Sequence, residues 1–165
     1  MDITCLGENQ YKLKSKKGSL EVTLGEKVEI VSGGNTNSPF VIRQPGEYEV
    51  DGISVFAYAA TGGIAALVQV DDIKIFCLAN IIDDSVIEDQ ETVDVVLLSC
   101  DNVGSKDLVE MIGKIEPSYV VPAGSKEFIT KFVSTFEHTA REMPKLSLTK
   151  ATINAEITDV VILTG

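Results

Sequence analysis

Histidine is almost missing from this chain: its 165 residues include one, His138. Imidazole is the commonest protein ligand for metal ions and the most frequent general base. Any chemistry that gathers several imidazoles around one pocket is therefore excluded by composition. Cysteine is scarce as well. Cys5, Cys77 and Cys100 are an odd number, far apart and without C-x-x-C spacing, a pattern that suits reduced, partly buried thiols in a cytosolic protein. Long apolar runs are missing: stretches such as Ile53–Ala60 fall far short of the ~20 residues of a membrane helix. Residues 1–6 carry no basic stretch followed by an apolar core, so no signal peptide is expected, and the expected location is cytoplasmic. Positive charge is in deficit, with 14 Lys and Arg against 25 Asp and Glu and a net charge of −11. Such an acidic field repels phosphate backbones and anionic lipid, so neither nucleic acid nor a membrane is an expected partner.

What is present has an ordinary globular balance, with 44% hydrophobic and 24% charged residues. A chain of about 150 residues buries roughly 68–70% of the surface its unfolded form exposes, enough for a sizeable core. Residues 1–165 read as one domain, without linker, low-complexity stretch or fixed-period repeat. Short runs at residues 3–6, 11–14, 19–23 and 27–31 are separated by Gly7, Gly18 and Gly25. Leu20, Val22 and Leu24 alternate with Glu21 and Thr23, the period of a half-buried strand. Further strands are expected at 40–42, 48–50, 53–60, 65–70 and 73–78, with hairpin turns at Lys16-Lys17-Gly18 and Asp71-Asp72. The pattern then changes. Residues 93–99 are a near-continuous apolar run, as in a strand covered on both faces. Leu108, Met111, Ile112 and Ile115 make one helical stripe, with Ser105 as N-cap and Pro117 as stop. A strand at 119–121, a second helix from about Ser125 through Phe136, and late strands at 145–148 and 159–163 complete the reading. The strand–helix–strand unit at 93–121 points to an α/β layered sandwich.

Several segments carry a more specific signal: I-T-C-L-G at residues 3–7, Pro39-Phe40-Val41-Ile42, P-G-E-Y-E-V-D-G-I at 45–53, V-D-D-I-K-I-F-C-L-A-N at 70–80, V-D-V-V-L-L-S at 93–99 and I-E-P-S-Y-V-V-P at 115–122. In this order they resemble the metallo-β-lactamase superfamily, in particular its ascorbate-6-phosphate-lactonase-like branch of small metal-dependent hydrolases. The resemblance implies an α/β fold: a metallo-β-lactamase-like layered β-sandwich with flanking helices, a truncated αββα arrangement. It also implies where a metal site would lie. That family holds one or two ions with a His-x-His-x-Asp-His cluster, a later His, an Asp and a final His. Here residues 31–38, including Gly34 and Asn35, contain none of these ligands. Asn80 stands where the resemblance implies a bridging Asp, Gly124 where it implies the final ligand, and Glu8 where the family often has His. With Asp101, these are the vestigial pocket positions.

The remaining polar features have plain readings. His138 reads as a solvated helix end with Glu142 on the same face; a catalytic role would need a nucleophile that the sequence does not show. Cys77 and Cys100 read as small core hydrophobes, the alternative being a thiol pair or soft-metal site. Asp101, Asn102 and Asn80 read as loop residues satisfying backbone groups, the alternative being a weak oxygen-ligand cation site. The acidic stretch 83–91 reads as a surface helix or loop, or else a docking patch for a basic partner. No cofactor is expected. The expected function is non-catalytic, a binding module acting through homo-oligomerisation or a protein partner. The alternatives are a metal-dependent hydrolase or lactonase with a reduced or relocated site, and a small-molecule sensor using the vacated pocket.

Overall fold

The computed structural model describes residues 1–33 and 39–165, so the expectations for Gly34 and Asn35 lie outside the described residues. The first strands are β1 (Asp2–Gly7), β2 (Gln10–Lys14), β3 (Ser19–Leu24), β4 (Val28–Ser32) and β5 (Val41–Ile42). They are followed by β6 (Gly46–Val50), β7 (Ile53–Ala60), β8 (Gly63–Val70) and β9 (Ile73–Leu78). Helix α1 (Asp84–Glu88), β10 (Val95–Ser99), α2 (Ser105–Ile115), β11 (Tyr119–Ala123) and α3 (Lys126–Phe136) come next. The chain continues through β12 (Ala140–Met143), β13 (Lys145–Ser147), a single 3₁₀ turn (Lys150–Thr152) and β14 (Asp159–Leu163).

Strands β1 to β5, with β13 beside β1, form a six-stranded antiparallel sheet. Its period-two pattern holds: Leu20, Val22 and Leu24 are fully buried between the sheets. The opposite face carries Thr4, Lys12, Glu21 and Thr23, with Lys12 directly across from Glu21. A polar face of this kind is content in water and needs no covering layer. The Asp71-Asp72 hairpin is made as expected, with both residues at positive φ (52° and 61°), which short acidic side chains tolerate.

The second sheet has eight strands in the order β12-β14-β11-β10-β9-β8-β7-β6. The five from β12 to β9 run parallel; β8, β7 and β6 continue as an antiparallel meander. Strand β10 sits in the middle and is buried at every residue, which explains its unbroken apolar run. Its even face, Val96 and Leu98, packs under Leu108, Met111, Ile112 and Ile115 of α2 and Phe132 of α3. Its odd face, Val95 and Leu97, belongs to the core between the sheets. The result is a mixed β-sandwich flanked by helices, the architecture expected from the sequence.

Two local readings change. The N-cap of α2 is Gly104, and Ser105 is a buried first-turn residue. The stretch read as a helix end at residues 137–142 is not helical throughout. Helix α3 stops at Phe136, Glu137 turns the chain in a left-handed conformation (φ 56°), and residues 140–143 form the edge strand β12, parallel to β14. His138 and Glu142 therefore share no helix face. An edge strand with Arg141 and Glu142 exposed carries no alternation of burial in its sequence, so periodicity does not reveal it.

Candidate functional site

Open parallel sheets bind ligands outside the carboxyl ends of their strands. At that end of this molecule lie the segments after β1 (Glu8, Asn9), β9 (Asn80), β10 (Asp101, Asn102) and β11 (Gly124, Ser125). The turns β3–β4 (Gly25, Glu26) and β7–β8 (Thr61, Gly62) join them there.

Three polar side chains at this end, Asp101, Asn80 and Asn102, are engaged with neighbouring loops. Glu8 is exposed, and the buried Asn9 Oδ1 and Ser99 Oγ have no hydrogen-bond partner among the described residues. Asp101 is half-buried; its Oδ1 accepts from the Ser125 backbone N–H at 2.9 Å and its Oδ2 from Asn9 Nδ2 at 3.3 Å. Asn80 Nδ2 donates to the backbone oxygens of Glu26 at 3.1 Å and Thr61 at 3.2 Å. Asn102 Nδ2 donates to those of Gly25 at 2.7 Å and Ala79 at 2.9 Å. Gly124 has φ +124°, and a Cβ there would lie 2.5 Å from Asp101 Oδ1, so the loop closes onto the carboxylate only with glycine at this position. Three side chains thus staple the ends of both sheets: Asn80 and Asn102 reach across to the β3–β4 turn, and Asp101 to the β1–β2 turn.

The positions singled out in the sequence divide into two groups. Asp101 and Gly124 touch, with Asn9 joining them to the turn that carries the exposed Glu8. Asn80 stands apart, against the β3–β4 and β7–β8 turns. Asn9 was not legible as a site residue; its only sequence signal is an asparagine in a turn, where it adopts φ 61°. Beside Glu8 and Gly124 an open recess of about 470 Å³ is lined by Cys5, Tyr11, Pro122, Ile129 and Leu163 among others. Burial pushes the Tyr11 hydroxyl pKa up, with Cys5 and Cys100 adding to the rise.

The thiols do not form a pair. Cys77 lies in the core between the sheets and Cys100 in the core beneath the helices. Burial pushes both up to about 12, with Asp101 adding to the effect on Cys100. Both are therefore protonated at neutral pH and poor nucleophiles, and their places in two different cores leave them no shared site. Cys5 Sγ donates to the Gly7 carbonyl at 3.1 Å.

His138 lies at the other end of the sheet. It precedes β12, whose first residue pairs with Val160 near the start of β14, whereas Asp101 and Gly124 follow their strands. A strand of this length separates the two ends by roughly 15 Å. The ring is exposed, stacks on Phe136 (centroids 3.9 Å apart, planes at 12°) and sets Nδ1 2.7 Å from the Phe136 carbonyl oxygen. Within the acidic stretch at 83–91, Asp84–Glu88 form the surface helix α1, where Asp84 pairs with Lys114 at 2.9 Å.

Among the described residues no group of three or more His, Cys, Asp or Glu side chains is placed to hold a metal ion. The five residues outside that description are Gly, Asn, Thr, Asn and Ser, which add no imidazole, thiolate or carboxylate. An amide whose N–H₂ is committed to two carbonyls, a glycine and one clamped carboxylate do not make the donor set of a catalytic zinc site.

Comparison with protein-family models gave no match, and neither did comparison with curated proteins. Solved structures do match. A Thermotoga maritima protein described as a Zn-dependent hydrolase of the metallo-β-lactamase superfamily superposes with a TM-score of 0.76 at 17% identity, covering 99% of this chain and 100% of that one. A Parabacteroides distasonis protein described as a metal-dependent hydrolase superposes with a TM-score of 0.52 at 10% identity, covering 96% and 100%. At these identities the likeness establishes the fold: the chain has the metallo-β-lactamase fold, and among its described residues no metal-binding cluster.

Proposed function

We propose that this chain is a non-catalytic metallo-β-lactamase-fold protein that works by binding, through self-association or a protein partner. The observation that carries the reading is the use of Asn80, Asp101 and Asn102 as staples between loops. In a metallohydrolase an ion draws such loops together and polarises a water. Here hydrogen bonds within the protein hold them, and each group so used is withdrawn from chemistry. The segment order that resembles the ascorbate-6-phosphate-lactonase-like branch supports descent from a hydrolase of that kind. We propose further that residues 1–165 act as one domain, that Glu8, Asn80, Asp101 and Gly124 mark the vestigial pocket, and that the protein works in the cytoplasm.

Purified protein incubated with Zn²⁺, Mn²⁺ or Fe²⁺ tests this reading against lactone and phosphoester substrates. The expectation is no turnover above that of a heat-denatured control. Chelator-sensitive turnover that scales with protein concentration contradicts it. Light scattering during size exclusion separates the two modes of binding: a concentration-dependent rise in mass supports self-association, and a monomer at high concentration leaves the protein partner.

A further inference from the structure

Strand β6 is the longest edge strand of the two sheets, five residues against two, three and four for β5, β13 and β12. Among the described residues it pairs only with β7, so alternate residues along it direct their N–H and C=O groups away from the sheet. It also holds the centre of P-G-E-Y-E-V-D-G, the most distinctive motif of the sequence, which the strand-end loops do not use.

Glu47 and Glu49 of β6 are exposed and lie on one face, opposite Phe56 and Ser54 of β7. Tyr48 and Val50 point the other way, into the core between the sheets. The Tyr48 ring is fixed by its hydroxyl, which donates to the Gln44 carbonyl at 2.9 Å. Phe40, 50% exposed, stands 6.0 Å from it, centroid to centroid, and completes an aromatic shelf beside the strand.

A second copy of this chain fits that edge poorly. Antiparallel pairing about a two-fold axis keeps each side chain on its own face of the extended sheet, so one residue of separation in register is not available. The allowed registers set Glu47 against Glu49 twice, or Glu47 against Glu47, or Glu49 against Glu49. Carboxylates directly opposite one another are destabilising. At the other end of the sheet, β12 offers no patch of one sign: Arg141 alternates with Glu142 and is engaged by Asp159 at 2.7 Å.

We propose that β6 is a docking edge for an extended, basic segment of a partner protein, which adds a strand to the large sheet and sets Lys or Arg against Glu47 and Glu49. Main-chain hydrogen bonds supply affinity, the alternating charges fix register, and the Phe40–Tyr48 shelf takes an apolar residue of the segment. The net charge of −11 speeds the approach of such a partner. The proposal rests on the reading of the chain as a binding module and names the surface it uses.

The test is an NMR titration of the intact chain with a capped hexapeptide alternating lysine and valine. The expected result is saturable binding with shift changes concentrated on β6 and β7. Affinity falls at least about tenfold, or ~1.4 kcal/mol, for E47K/E49K and for a peptide N-methylated at alternate residues, which lacks the main-chain donors. E47Q/E49Q, which removes charge without reversing it, gives an intermediate loss and serves if E47K/E49K does not fold. No saturable binding, shifts centred elsewhere, or affinity indifferent to N-methylation overturns the proposal, the last because it signals adsorption by charge alone. Failure here leaves the non-catalytic reading standing, whereas metal-dependent turnover would sink that reading whatever the titration shows, so the two failures are distinguishable.

Discussion

Asn80 shows at the residue scale why a single atom decides between a ligand and a staple. Its Nδ2 donates to two carbonyl oxygens; a carboxylate in its place has no hydrogen to offer and sets negative charge against both. Asn80→Asp, which restores the residue the resemblance implies, should therefore lower stability by about 1–3 kcal/mol at neutral pH in urea unfolding. The new carboxyl would have its folded pKa raised by those carbonyls, so the deficit is smallest at low pH, where its one O–H can serve one of the two carbonyls, and grows as pH rises through that pKa. A stability loss that is flat with pH would show that the carbonyls are not the cause. Gly124→Ala meets Asp101 Oδ1 at 2.5 Å in a backbone conformation that L residues rarely adopt, and should cost about 1–3 kcal/mol. An unchanged denaturation midpoint would contradict the close approach. The buried thiols make a prediction at alkaline pH. Cys77 and Cys100 are raised from 9.0 to about 12 in the folded protein, so their contribution is complete below pH 9 and lost as pH rises towards 12. Replacing both with Ala should flatten the alkaline limb of the stability profile, and an identical limb in the variant would argue against their burial. The sequence places Asn80, Asp101 and Gly124 at one end of the sheet by resemblance. It does not show what they hold, because their partners at Asn9, Glu26, Thr61 and Ser125 are set by how the turns meet in space.

At the scale of the elements, the helices are held by a few apolar residues. Phe132 is the one residue of α3 that is fully buried, packed with Leu108 and Met111 of α2 above Val120 and Val160. Phe132→Ala should cost about 3–5 kcal/mol and release α3 first, which hydrogen exchange would report as lost protection in α3 ahead of β10. Equal loss in β10 would mean that the helix and sheet form one cooperative unit. The stripe of α2 and the apolar run of β10 are legible in the sequence because burial imposes periods of 3.6 residues and continuous apolarity respectively. Strand β12 is not, because at an edge, with Arg141 and Glu142 exposed at its centre, burial imposes little pattern. Parallel pairing from β9 to β12 is legible only for the unit from β10 to β11, where a helix bridges the two.

For the whole molecule, the contrast is between a scaffold that superposes along 99% of its length on a protein described as a zinc hydrolase and a chain with one histidine, exposed at the far end of its sheet. Composition alone makes the shortage of imidazoles legible. The folded chain adds that Asn80, Asp101 and Asn102 at the strand ends hold neighbouring turns. The most direct measurement is elemental analysis of protein purified without chelators or affinity metals, paired with thermal unfolding in added zinc. Far less than one zinc, iron or manganese per chain and a melting temperature that zinc leaves unmoved are expected. Near-stoichiometric metal, with unfolding shifted upward by zinc and downward by a chelator, would contradict the non-catalytic reading.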